Sequence, residues 1–209
     1  MKKRLILIFV IFIIGAYFVL YQNKSHSIQP VLNIKNTIAT TTIYQDQLNG
    51  FSFDYPKEFS LADKETLSTQ SWNFNSTSTG NLLVRVLIPR TIQPKTNFGE
   101  AVFDVGIGSD KLSVKDCLVA PEGNFVGVSS STVNGVDYLV FHYNDAGAGN
   151  FYDVTSYHTI KNGKCFVLDS MIHSSNIGNY SPDQGINEFN KTLVHNILKN
   201  ITDSFRFLN

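Results

Sequence analysis

Hydrophobic and polar positions fall into three regimes along the chain. From Leu5 to Tyr21 there are seventeen residues without a charge, apolar on every helical face. From Asn23 to Asn49 the chain turns to Ser, Thr, Asn and Gln, with no strong period and with Pro30 interrupting it. Beyond Asn49 alternation at period 2 dominates, the pattern of half-buried strands.

The stretch "NGFSFDYPKEF" (Asn49–Phe59) reads as a turn, a strand and a stop. Asn49-Gly50 makes the turn, Phe51, Phe53 and Tyr55 share one face, and Pro56 cannot donate to a ladder. "NLLVRVLIP" (Asn81–Pro89) and "EAVFDVGIG" (Glu100–Gly108) read as buried strands, and "DKLSVKDCLV" (Asp110–Val119) as a short helix capped near Ser113. Phe125–Val133 and Val136–Tyr143 flank Asn134-Gly135, and Phe151–Ile160 and Lys164–His173 flank Asn162-Gly163; both pairs carry the two-residue hairpin signal. Between the hairpins "NDAGAGN" (Asn144–Asn150) reads as a longer glycine loop, completing a four-stranded antiparallel meander. Ile186, Phe189, Leu193, Val194, Ile197 and Ile201 recur at helical spacing, with Asp183 placed to cap the start. "SFRFL" (Ser204–Leu208) alternates and returns toward the sheet, and the β-branched "TIATTTIY" (Thr37–Tyr44) can dock as an edge strand. The expected class is α+β: one domain with a mainly antiparallel sheet packed by a few helices.

Lys2, Lys3 and Arg4 precede the apolar run, which favours a cytoplasmic N-terminus. The run is near the short end of the ~17–25 residues that span a bilayer. No Ala-x-Ala follows it in "QNKSHSIQP" and no cysteine abuts it, so an uncleaved signal-anchor is favoured over a cleaved signal. The expected layout is residues 1–4 in the cytoplasm, 5–21 across the cell membrane as a single pass, 22–48 as a polar stalk and 49–209 as an extracytoplasmic domain. Downstream of the run the chain carries fourteen basic against seventeen acidic residues. No basic stripe is available for phosphates, which sets nucleic acid aside as a partner.

Three histidines, His142, His158 and His173, lie in the meander. If Lys161 pairs with Lys164, Tyr152 lies opposite His173; if the glycine loop centres on Gly147, Tyr152 also lies opposite His142. On that register His142 and His173 share a face about 9–10 Å apart, while ligands of one metal need to lie within roughly 4 Å of each other. The expectation is therefore a polar sheet face with no metal and no cofactor, where His142, Asp145, Tyr152, Asp169 and His173 are the candidate ligand-binding residues. Leu139, Phe141, Tyr143, Phe151, Tyr157, Phe166, Leu168 and Ile172 would form the opposite, core face. No G-x-S-x-G occurs, and "DAGAGN" lacks the G-x-G-x-x-G pattern, so no catalytic residue is assigned. Glycines that admit positive φ explain that loop, and its strand ends are the first place to look for a ligand. Cys117 and Cys165 stand as either a disulfide or two separate buried thiols.

"GFSFDYP" (Gly50–Pro56) and "ILKNITDSFRF" (Ile197–Phe207) together resemble the two ends of PsbP-like proteins, across Asn49 to Leu208. Those proteins open with a Gly-aromatic-x-aromatic-x-Tyr-Pro strand and close with a helix and a Ser/Thr-Phe-x-Phe strand. The resemblance implies an antiparallel sheet with helices on both sides, and binding or assembly rather than chemistry. It carries over no functional residue, and the apolar N-terminal run departs from the soluble members. The leading expectation is a membrane-tethered, non-enzymatic binding or assembly module. Its partners would be the lipid bilayer, through residues 5–21, and another envelope protein or a small ligand. The alternatives are an envelope hydrolase or metal-dependent enzyme using the His142, Tyr152 and His173 face, and a surface filament or layer subunit.

Overall fold

The computed structural model describes residues 40–63, 71–73, 79–120 and 125–208. They belong to one compact unit, Ala39–Asn209. The apolar run at Leu5–Tyr21 lies outside the described residues, as does the stalk up to residue 39. Among the described residues no helix is long and apolar enough to cross a membrane.

The architecture is α+β, with two antiparallel sheets. The smaller joins β1 (Thr41–Asp46), β2 (Phe51–Pro56) and β11 (Arg206–Phe207) in the order β1-β2-β11. The larger holds β3 (Ser60–Leu61), β4 (Ser71–Asn73), β5 (Thr79–Ile88), β6 (Phe98–Gly108), β7 (Phe125–Val133), β8 (Val136–Gly147), β9 (Asn150–Lys161) and β10 (Lys164–Ser175). Its order is β3-β5-β6-β10-β9-β8-β7, with β4 also on β5. After β6 the chain crosses to the far edge and meanders back, so β10 closes onto β6 at the centre. Helix α1 (Lys111–Asp116) follows β6, and α2 (Lys191–Ser204) precedes β11.

One face of the large sheet, here the core face, packs under α2 and the small sheet. Phe103, Val105, Phe166, Leu168 and Ile172 from the sheet meet Val194, Leu198 and Ile201 from α2. Aromatic rings join the layers: Phe53 lies edge-on to Phe103 at 5.2 Å, Phe51 stacks on Phe205 at 5.3 Å and Phe166 meets Phe207 edge-on at 4.9 Å. Each fully buried ring contributes roughly 1.5–3 kcal/mol of transfer free energy. The second face is covered at one end by α1, where Cys117 and Cys165 pack with Leu82 and Val167.

The expected meander is present, and four local expectations need correction. The β-branched edge strand forms as β1, which lies inside the segment read as stalk. Helix α1 is capped by Asp110, whose carboxylate accepts from the Leu112 and Ser113 amides at 2.9 and 3.0 Å, rather than near Ser113. The terminal helix starts at Lys191, capped by Asn190, and Asp183 sits in a separate 3-10 turn. Residues 186–189 continue the apolar spacing but stay out of the helix because buried amides hold their backbone. Asn97 donates to the Ser175 carbonyl at 2.7 Å and accepts from the Phe189 amide at 2.9 Å. Gln93 donates to the Asn190 carbonyl at 3.0 Å and accepts from its amide at 3.3 Å.

The fourth correction moves a whole strand. "NDAGAGN" is no long loop: β8 runs to Gly147, β9 starts at Asn150, and Ala148 (φ 49°) and Gly149 (φ 78°) form a two-residue turn. Positive φ at both positions is the type I′ geometry of the Asn134-Gly135 and Asn162-Gly163 turns. Asp145, not His142, lies opposite Tyr152, and His142 faces Thr155. An odd slip flips every β8 side chain. His142 therefore points to the core face, while Leu139, Phe141 and Tyr143 join the face of His173.

Replacing Asn97 by Ala leaves two main-chain partners unpaired. The expected loss is about 1–3 kcal/mol in urea unfolding. Phe53→Ala, which opens a hole between the layers, should cost more, about 3–5 kcal/mol. A null effect of either on the unfolding midpoint would contradict this account of the layers.

Candidate functional site

At the hairpin end of the second face, the Tyr152 and His173 rings stack with centroids 4.7 Å apart and planes 10° apart. The pairing of β9 with β10 dictates this, since the two residues are direct partners. His173 Nε2 bonds Asn150 Oδ1 at 2.9 Å, and a Cβ on Gly99 would come within 2.6 Å of His173 Nδ1. That side chain is fixed on three sides. Asp145 stands across from Tyr152 and is exposed. Asp169 shares the face but is four residues from His173 along β10, about 13 Å. His142 is on the other side of the sheet, its Nδ1 3.2 Å from Thr155 Oγ1, in a recess of about 170 Å³ shared with Ser170 and His195. The proposed histidine face therefore does not assemble: Tyr152, His173 and Asp145 come together, and His142 and Asp169 stay apart from them.

A polar rung crosses the middle of the second face: Arg85, Asp104, Asp169 and Ser156 are successive partners on β5, β6, β10 and β9. Arg85 grips Asp104 with two bonds of 2.8 and 2.7 Å. Burial nevertheless holds the Asp104 carboxyl above the ordinary carboxylate range. Asp169 has no such clamp. Burial pushes it up to about 7; the Ser156 hydroxyl opposes this and the charge of Asp104 adds to it. Its Oδ1 is sealed from solvent without a hydrogen-bond partner.

Beside this rung sits His158, buried on the same face. Its Nδ1 lies 2.7 Å from the Cys117 carbonyl oxygen, which can only accept, so Nδ1 carries the proton. Nε2 then accepts from the Ser156 hydroxyl at 2.7 Å. Burial lowers the imidazole to about 4, against the carbonyl bond that raises it. Cys117 and Cys165 are joined, with sulfurs 2.03 Å apart, tying α1 to β10.

A cleft of about 640 Å³ opens where the β8–β9 hairpin meets the 176–191 segment. Phe151, Ile172 and Phe189 supply apolar wall; Asp145, Asp153 and Glu188 supply carboxylates; Asn97, Asn144 and Asn176 supply amides. Lys191 lies 2.6 Å from Asp153, and His195 approaches the same oxygen at 3.4 Å. Those contacts, His195 first, hold the Asp153 carboxyl down at about 2. The far wall is tied to the hairpin tip: the Asn176 amide and Asn179 Nδ2 both donate to the Gly149 carbonyl, at 2.8 and 3.2 Å. Gly149 holds φ 78°, which favours glycine, and a Cβ there would come within 2.6 Å of Asn179 Nδ2 and push that side chain off the Gly149 carbonyl.

Sequence reasoning missed Arg85, Asp104, Ser156, Asp153, Lys191 and His195. A signal for the first two exists, because Arg85 is the lone charge of β5 and Asp104 stands between apolar neighbours on β6, which pairs with it. The last three are brought together only by the docking of α2.

No protein-family model matches the chain, and no curated protein matches it. Among solved structures it is similar to LpqN of Mycobacterium tuberculosis, a protein involved in cell envelope biogenesis. The overlay covers 81% of this chain and 91% of that one at 9% identity, with a TM-score of 0.36, too loose to carry an argument about function.

Two buried groups give stability opposite pH slopes. His158 binds its proton at about 4 when folded and near 6.5 when unfolded, so the unfolded chain gains protons first and stability falls as pH drops through that window. The loss approaches about 3 kcal/mol. Asp169 titrates at about 7 when folded and near 3.8 when unfolded, so it costs stability as pH rises through that window. Asp169→Asn should therefore stabilise the protein by a few kcal/mol at pH 8 and by almost nothing at pH 4, as read by urea unfolding. An equal effect at both pH values would remove the titration from this account.

Proposed function

We propose that the protein is a membrane-tethered, extracytoplasmic binding module whose ligand site is the cleft at the hairpin end of the large sheet. The observation that carries the binding reading is the cleft itself. Its volume falls in the range of about 300–1,000 Å³ typical of ligand pockets, with apolar walls and a few convergent polar groups. Lys191 is engaged with Asp153, which leaves Glu188 as a lining charge without that pairing. A neutral or cationic ligand with an apolar face suits this lining; an anion does not. The tether rests on Lys2–Arg4 followed by the uncharged Leu5–Tyr21 run.

An assembly reading is favoured by a different observation. β7 ends the large sheet and exposes Phe125, Val126 and Val128, at 42%, 64% and 55%. An open strand edge with apolar side chains is a template for pairing with another chain.

Native mass spectrometry of the full-length protein, extracted in detergent, tests the first reading. A co-purifying small molecule is expected on the wild type and absent from Phe151→Arg, which fills the cleft mouth with a cation. Identical spectra from the two would refute the cleft as the site. Protease added to intact cells should degrade the C-terminal domain, and a protected domain would refute the topology.

A further inference from the structure

We infer that Cys117, Cys165 and His158 form a transition-metal site in the reduced chain, mutually exclusive with the disulfide. The ligand atoms of these three residues all lie within 4.8 Å of one another, and all three residues are buried. Two thiolates and an imidazole are a soft donor set that suits zinc or cuprous copper. Metal–sulfur bonds of about 2.3 Å in tetrahedral geometry put the sulfurs about 3.8 Å apart. Side-chain rotation alone can open the joined sulfurs that far. Three protein ligands leave the fourth position to water.

The surroundings fit a ligand histidine. Each ring nitrogen of His158 already has a polar partner, the Cys117 carbonyl on one side and the Ser156 hydroxyl on the other. A metal takes one of these places, and the remaining bond orients the ring, as outer-shell partners do in metal sites. If Ser156 is the partner released, its hydroxyl turns to the Asp169 carboxylate, with which it already interacts. The three ligands come from the end of α1, β9 and β10, so binding ties the two elements that the disulfide ties and adds β9.

The chemistry balances without a hidden partner. A dithiol reductant gives two electrons and two protons to the Cys117–Cys165 bond and is itself oxidised to a disulfide. The two thiols then release two protons on binding a divalent ion. Newly made chain passes through this dithiol state before its cysteines are oxidised, so metal and oxidant compete for the same sulfurs.

The test uses full-length protein in detergent, reduced with a phosphine under anaerobic conditions and titrated with Zn²⁺ against a chromophoric chelator. Co²⁺ serves as the spectroscopic probe of thiolate ligation. One equivalent is expected on the reduced protein, with a thiolate-to-cobalt charge-transfer band, and none on the oxidised protein. His158→Gln should weaken binding at least tenfold while its circular dichroism stays native. Zn²⁺ should also slow disulfide formation by oxidised glutathione in the wild type, a readout that needs no variant. If reduction unfolds the domain, Zn²⁺ must restore the native spectrum. Failure to restore it overturns the site, as does a folded, reduced protein that binds no metal. Equal affinity in wild type and His158→Gln, or oxidation indifferent to Zn²⁺, overturns it as well.

Discussion

Side chains alternate between the faces of a strand, and in this protein three two-residue turns decide which face each receives. Asn134-Gly135, Ala148-Gly149 and Asn162-Gly163 all hold positive φ at both positions, so β7 to β10 have a single mutual register. That register puts Val140, Tyr157, Phe166 and Leu168 under α2 and the small sheet. It puts Phe141, Ser156, His158 and Asp169 on the far side. A slip of one residue at the Asn162-Gly163 turn would turn β10 over relative to β9 and carry Asp169 toward the aromatic layer.

The second face is where this constraint has chemical consequences. Strands β6 and β10 pair through the centre of the sheet, so Asp104 and Asp169 become neighbours. Only one of them is clamped by Arg85; burial raises the proton affinity of both, and Asp169 has no clamp to oppose it. Two residues along, the same alternation delivers His158 to the end where α1 brings Cys117. The polar groups of this face are consequences of pairing between distant strands, not of any local motif.

Legibility followed the same division. Strands bounded by Pro56, Pro89 and the two Asn-Gly pairs could be read because local chemistry sets their ends. The Tyr152–His173 pairing followed from one such turn. The β8–β9 turn could not be read the same way: glycines at positions 147 and 149 bracket Ala148, and composition alone does not say which pair makes the turn. The choice of centre moved His142 and the β8 aromatics together. The start of α2 was hidden for another reason. The apolar spacing at Ile186 and Phe189 is genuine, but Gln93 and Asn97 hold that backbone from almost a hundred residues away.

The cleft and the sulfur cluster occupy sites of different rigidity. At the cleft, the hairpin tip is bonded to 176–179, and the helix start is bonded to Gln93 and Asn97, so its walls are fixed by main-chain partners. Such walls suit recognition, because little ordering remains to be done when a ligand arrives. At the sulfur cluster, Cys117 follows a six-residue helix and is tied to the sheet by the disulfide and by the bond from His158 Nδ1 to its carbonyl. Once the bond to Cys165 is open, the bond from His158 Nδ1 to the Cys117 carbonyl still joins that turn to β9. A metal held by Cys117, His158 and Cys165 would restore the tie from that turn to β10 that the open disulfide has lost.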